Sequence, residues 1–246
     1  MIKKYTTTLL SVLSLVTTAY AGPLLKDNPD NTAPEGFTLL FNGKDLTNWK
    51  GLLQGPFDKP HKRAELKKDP EAYAAKQKKA DEIMRKHWTI TKDGELFFDG
   101  EKGGWSLATA KDYGDFEMYV SWKLKSEHGD SGIYLRGLPQ VQIWDTKSPK
   151  CIKHGADKGS GGLWNNRNAG RWPLVHADNP VGEWNHFFIR MVGDDVSVWL
   201  NGKLVVDKSP LINLWQKNQP LPKTEQIELQ CHGDPVYFKN IYIREL

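Results

Sequence analysis

Residues 196–206 read VSVWLNGKLVV, two runs rich in β-branched and aromatic residues joined by Asn201-Gly202. Asn-Gly between two such runs is a strong hairpin signal, because both residues tolerate the positive φ that a type I′ turn needs. The same grammar recurs on both sides. Phe116, Met118, Val120 and Trp122 alternate with Glu117, Tyr119, Ser121 and Lys123. Residues 88–90 and 95–98 flank Lys92-Asp93-Gly94, and the C-terminal part repeats the pattern at Ile227/Leu229 and Val236/Phe238/Ile241/Ile243. Many short strands without intervening helices exclude a parallel βαβ architecture and predict an all-β fold, an antiparallel β-sandwich of jelly-roll type.

One helix interrupts the pattern. Asp69 is a fitting N-cap, Pro70 suits the first helical turn, and a glycine-free, alanine-rich run continues to Lys86. Tyr73, Gln77, Ala80, Met84 and His87 share a thin stripe, so a helix over 69–86 is predicted as an insertion outside the sheets, packed over a rim. Residues 58–87 hold ten Lys/Arg against six Asp/Glu and read as a solvated helix face. They account for the basic pI of about 8.8, because the remainder of the chain is close to neutral. A nucleic-acid binder spreads a basic stripe over its folded face, so nucleic acid is not an expected partner.

At the N-terminus Lys3 and Lys4 precede an uncharged run, and Ala19-Tyr20-Ala21 places small residues where a signal peptidase cuts. Residues 1–21 are expected to be an export signal, with the mature chain in the periplasm or secreted. Residues 22–36 read as an extended lead-in and 37–246 as one sandwich domain. Beyond the N-terminus no apolar run approaches the roughly 20 residues that span a bilayer, so membrane insertion is not expected. Cys151 and Cys231 could pair or remain thiols, and no CxxC or HxxxH spacing points to a structural zinc.

Five strings occur in order: GFTLLFNGKDLTNWKG (36–51), YGDFEMYVSWKL (113–124), GDSGIYLRGLPQVQIWD (129–145), GEWNHFFIRMVGDDVSVWLNGKLV (182–205) and IELQCHGDPVYFKNIYIREL (227–246). Together they resemble the 3-keto-disaccharide hydrolase family, built on the concanavalin A-like lectin/glucanase sandwich. The resemblance implies an exported carbohydrate-active hydrolase that cleaves 3-keto-glycosides or 3-keto-disaccharides, and it leaves a divalent metal cation open as a cofactor. Two positions depart from the commoner pattern. Gln140 stands where a Glu usually begins the Glu-x-Gln motif, and Ile212 stands where a Glu is expected.

Strand alternation assigns residues to faces. Opposite Ile133 and Leu135 stand Tyr134 and Arg136; opposite Val141 and Ile143 stand Gln140, Gln142 and Trp144; opposite Ile227, Leu229 and Cys231 stand Glu228, Gln230 and His232. Gathered on one concave face these suit a sugar: Gln140, Gln142, Trp144 and Gln230 as binding groups, joined by Trp164 from the long connection 146–182. His232 or Glu228 is the expected base, Arg136 or a bound cation the stabiliser of an enolate, and Asp145 a metal ligand or orienting carboxylate. The E-x-D-x-x-E string of lectin/glucanase retaining enzymes is absent, which disfavours double displacement on an ordinary glycoside. A 3-keto sugar needs only removal of the acidic C2 proton, loss of the C1 substituent and hydration of the enone. The competing reading is a non-catalytic carbohydrate-binding module or lectin, which would not need Glu228 and His232.

Overall fold

The computed structural model describes Pro23, residues 30–167 and residues 169–246. The expected export segment lies outside the described residues. Thirteen strands are present among them: β1 Thr38–Leu39, β2 Trp49–Gly51, β3 Trp88–Ile90, β4 Leu96–Phe98, β5 Leu107–Thr109, β6 Phe116–Leu124, β7 Asp130–Leu135, β8 Leu138–Trp144, β9 Asn185–Val192, β10 Asp195–Leu200, β11 Lys203–Pro210, β12 Glu228–Leu229 and β13 Val236–Glu245. Eight form a sheet in the order β11-β10-β9-β6-β13-β4-β3, with β1 also on β13; the other five run β2-β5-β12-β7-β8. Every pairing is antiparallel, so the predicted sandwich is the fold. The hairpin turns at Asn201 (φ 50°) and Gly202 (φ 79°), with Leu200 opposite Lys203.

Between the sheets lies one continuous core. Phe116, Met118, Val120 and Trp122 of β6 meet Ile133, Leu135, Val141, Ile143, Ile227 and Leu229 of the smaller sheet. The lead-in does more than connect. Ala33, Phe37 and Leu39 pack on Tyr119, Phe188, Trp199 and Tyr242, covering the outer face of the large sheet. Asn31 joins in through its backbone amide, which donates to Asn240 Oδ1 at 2.7 Å.

Helix α2 spans Pro70–His87, and Asp69 caps it by accepting the Ala72 amide at 3.0 Å. Its burial exceeds the expected rim contact, because Ala80 and Met84 are fully enclosed and Met84 belongs to the main core. Ala80 lies so close to β2 that a Cβ on Gly51 would stand 2.3 Å from its carbonyl oxygen. The helix thereby closes the side of the sandwich where β2 and β3 form the two sheet edges. A second helix, α1 (Pro60–Leu66), is not foreshadowed by hydrophobic periodicity. It corrects the solvated reading of the charge run, since Arg63 is only 1% exposed.

The opposite side is closed by residues 146–182. They contain a short helix α3 (Pro149–Ile152) and a 3-10 turn (Ala156–Lys158), and they extend the free edge of β8 through bonds between Gln142 and both Gly161 and Gly162. The Leu174 amide then reaches the Val205 carbonyl of β11 at 2.8 Å, tying the loop to the other sheet. Both cysteines are free thiols.

Candidate active site

The candidate site is the outer face of the five-stranded sheet. Register sets Lys50, Ala108, Glu228, Tyr134 and Gln140 in one transverse row across its five strands. Gln142 lies opposite Gly132, and the Gln230 amide donates to the Gly132 carbonyl, which places Gln230 and Gln142 on either side of that glycine. A Cβ at Gly132 would come within 2.5 Å of the Gln140 amide oxygen, so glycine leaves the space that Gln140 fills. Asp130, opposite Trp144, stands next to His232 at the far end.

Thus Gln140, Gln142, Glu228, Gln230 and His232 do share a face. That face is not simply solvated. Gln140, Gln142, Trp144 and Glu228 are all buried, because α1 and the 146–182 segment roof it. The Gln140 side chain donates to Gln142 Oε1 at 2.7 Å, and Gln142 Nε2 donates to Asp130 Oδ1 at 2.8 Å. Asp130 Oδ2 lies 3.6 Å from His232 Nδ1, an ion-pair distance longer than a hydrogen bond. His232 keeps half of its side chain in solvent. Burial raises the Asp130 pKa against the opposing pull of His232 and Gln142. The amide oxygens of Gln140, Gln226 and Gln230 are buried without a donor, which is costly unless a ligand or water supplies one.

The other end of β12 is filled. Arg63 donates to Glu225 at 2.7 and 3.3 Å, to the carbonyls of Phe57 and Asp58, and lies 3.9 Å from Glu228. Glu228 also accepts from Gln226 at 3.0 Å. Burial pushes its carboxyl up to about 7, against the pull of Arg63 and Gln226. Burial works in the opposite sense on Arg63, but Glu228 and Glu225 outweigh it and keep the guanidinium charged. Burial likewise raises the Tyr134 phenol to about 12.

Two expected members stand elsewhere. Arg136 does not face the groove: β7 ends at Leu135, and Arg136 (φ 50°) and Gly137 (φ 64°) form the turn to β8. Its guanidinium is spent on the carbonyls of Pro222, Lys223 and Gly193, so it ties its own turn to two other loops. Asp145 follows the end of β8 and is turned inward. Its oxygens accept the amides of His128 (3.0 Å) and Lys147 (2.9 Å), the geometry of a loop cap. Among the described residues no group of three or more His, Cys, Asp or Glu is placed to hold a metal ion. The donors around Asp145 therefore do not fit a divalent cation, and no chemical step is routed through one.

Trp144 donates from its indole to the Gly159 carbonyl at 2.9 Å and packs edge-on against Trp164 at 5.4 Å. Trp164 is half-buried, and Arg171 covers one of its faces with its guanidinium carbon 4.2 Å from the ring centroid. Asp130 and Arg63 are the residues the sequence reading missed. Extending the alternation of 133–136 back to Asp130 would have found the first, whereas nothing in the charge run distinguishes Arg63 from its solvated neighbours.

Known proteins place this geometry in context. A 3-keto-disaccharide hydrolase of Bacteroides thetaiotaomicron is 23% identical over 86% of this chain and 79% of its own length. The crystal structure of a candidate glycosyl hydrolase from Parabacteroides distasonis superposes with a TM-score of 0.60 at 25% identity, covering 89% of this chain and all of that one. A second such structure from the same organism gives a TM-score of 0.51 at 22% identity over 81% of this chain and all of that one, a likeness of fold. Residues 36–244 match the 3-keto-alpha-glucoside-1,2-lyase-like domain, and the chain belongs to that family.

Proposed function

We propose that this protein is an exported enzyme that cleaves 3-keto-glycosides, 3-keto-disaccharides among them, by C2 proton removal, elimination and hydration. The observation that carries the reading is the exposed His232 imidazole facing Asp130, on a sheet face where the Gln140 and Gln230 amide oxygens have no donor. His232 takes the C2 proton. The electron pair left on C2 passes into the C3 carbonyl as an enolate, then returns to form the C1–C2 double bond as the C1–O bond breaks. The departing oxygen keeps that pair and takes a proton; water then adds its oxygen to C1 and returns a proton to C2. No oxidant or reductant is consumed.

Asp130 orients the imidazole and offsets its positive charge once protonated. Gln230 lies between Glu228 and His232 in the chain, and its side-chain amide N–H is the neutral donor for the enolate oxygen. Arg136, committed to three backbone carbonyls, takes no part. Glu228 lies four residues before His232, inside β12 and not beyond its end, and is sealed by Arg63. Asp130 and Glu228 are separated across β7 and β12 by about 13 Å or more, well beyond the 5–9.5 Å of paired glycosidase carboxylates. That separation favours elimination over ordinary glycoside hydrolysis. Residues 1–21 supply the export signal in this reading, which places the mature chain in the periplasm or outside the cell. Mass spectrometry of the chain recovered from the native envelope should then give a mature N-terminus at Gly22, and an intact Met1 in cytoplasmic material argues against export.

The test is incubation with a 3-keto-disaccharide and with its unoxidised parent, each with and without a chelator. Free sugar should be released from the oxidised compound alone, and the chelator should have no effect. Release from the parent overturns the elimination reading, and binding without release favours the carbohydrate-binding module.

A further inference from the structure

A cavity of about 320 Å³ opens at the end of the sandwich, and none of Asp130, Gln140, Gln142, Gln230 and His232 lines it. Its volume matches about ten waters at roughly 30 Å³ each and falls at the lower end of small-molecule pockets. Trp122 and Trp144 form aromatic walls, and Asp145, Asp178, His128 and Ser148 contribute polar groups. Three features mark it as built for a ligand. First, Trp122 is 2% exposed, and its indole N–H has no acceptor. A buried donor without a partner is costly in a native structure.

Second, two buried carboxylates face the same space. Asp178 is held by the Ser160 amide at 3.0 and 3.2 Å, and Asp145 by the His128 and Lys147 amides, which leaves further acceptor capacity on each carboxylate. Third, His128 sits in the left-handed region at φ 69°. Its ring is fixed by Ser148 Oγ at 2.8 Å, so the neighbourhood holds a strained non-glycine residue in one orientation.

The required ligand must accept from the indole and donate to carboxylates. A metal ion offers no acceptor, and an anion is repelled by Asp145 and Asp178. A hydroxyl group does both, and aromatic walls favour the C–H faces of a ring. We infer that this cavity is a second binding site, separate from the groove, for a neutral polyhydroxylated molecule of monosaccharide size.

The full chain labelled with ¹⁵N-tryptophan and titrated with D-glucose tests this. The Trp122 indole signal is identified by its loss in Trp122→Phe. It should shift saturably, with half-saturation at roughly millimolar glucose. Asp178→Asn should raise that half-saturation at least about tenfold, equivalent to about 1.4 kcal/mol, and His232→Ala should leave it unchanged. Saturation-transfer signals on the glucose protons should fall in Trp122→Phe. Absence of a saturable Trp122 shift up to about 100 mM glucose overturns the inference and leaves a cavity that holds only water. So does an Asp178→Asn protein that titrates like the wild type. Loss of the shift in His232→Ala would assign the sugar to the groove instead. Failure of turnover on 3-keto sugars leaves these outcomes untouched, so the two readings stand or fall separately.

Discussion

Glu228 in β12 and His232 beyond the end of that strand lie on the same side of the sheet, four residues apart, yet one is sealed under a helix and the other stands half in solvent. At the closed end Arg63 from α1 enters between Glu225 and Glu228, and α1 leaves no path to the carboxyl. At the open end nothing comparable covers His232, and its neighbour is a carboxylate, Asp130, that is itself tied to Gln142 and through it to Gln140. Residues with equal claim from alternation thus acquire different roles from what packs above them. Proton transfer demands an accessible base, whereas a buried ion pair fixes a segment in place.

The largest expected effect tests that division directly. Replacing His232 by Ala should lower kcat on a 3-keto-glucoside by about 10²–10⁴-fold while the far-UV spectrum and Tm stay near wild type. Glu228→Gln should retain turnover within a few-fold. If the losses are reversed, the closed end is the catalytic one and the comparison fails.

Arg63→Ala is next. It strands two buried carboxylates, which is expected to cost about 3–5 kcal/mol, read by urea or thermal unfolding. Substituting Glu225 and Glu228 by Gln in the same protein should recover part of that loss, because the stranded charges are then gone. A cost below about 1 kcal/mol would show that α1 does not depend on the pair.

A smaller effect is expected on the pH dependence of stability. The Glu228 carboxyl titrates near 7 in the folded chain against an ordinary value of 4.5. Between those values the native state holds a proton that the unfolded chain gives up, so stability falls as pH rises from about 4.5 to 7, by up to about 3 kcal/mol. The Tm measured from pH 5 to 8 should decline in the wild type and decline less in Glu228→Gln. Equal slopes would mean that Arg63 keeps Glu228 ionised throughout.

Gln142→Ala should have the mildest consequence at the open end. A neutral amide hydrogen bond contributes about 0.5–1.5 kcal/mol, and Gln142 spends its own on Asp130 and Gln140, so kcat/KM should fall about 2–12-fold as those two lose their orientation. A parallel fall in kcat would show that Gln142 acts through Asp130, sharpening the account of the His232 end.

Much of this molecule is legible before folding is considered. Period-2 alternation identified the inward faces of β6, β7, β8 and β12, because burial on one side of a strand forces every second residue to be apolar. The Asn201-Gly202 turn and the Asp69 cap are local devices whose geometry depends on residues within one or two turns of chain. The same alternation brought Gln140, Gln142, Glu228, Gln230 and His232 to one face. It failed at Arg136, where the strand ends in a tight turn and parity no longer has meaning.

The sequence by itself determined the sandwich, the long helix and the family, since each rests on a repeating or contiguous pattern. Only the tertiary structure decided which polar residues are open to a substrate. Arg63 reads as one more cation in a solvated run until α1 is laid across β12 and pairs it with carboxylates 162 and 165 positions away. Asp145 reads as a rim carboxylate until the His128 amide, 17 residues earlier, is folded back to it. Such contacts join distant segments, and their energies depend on the desolvation and geometry of the assembled pair, which no local pattern encodes.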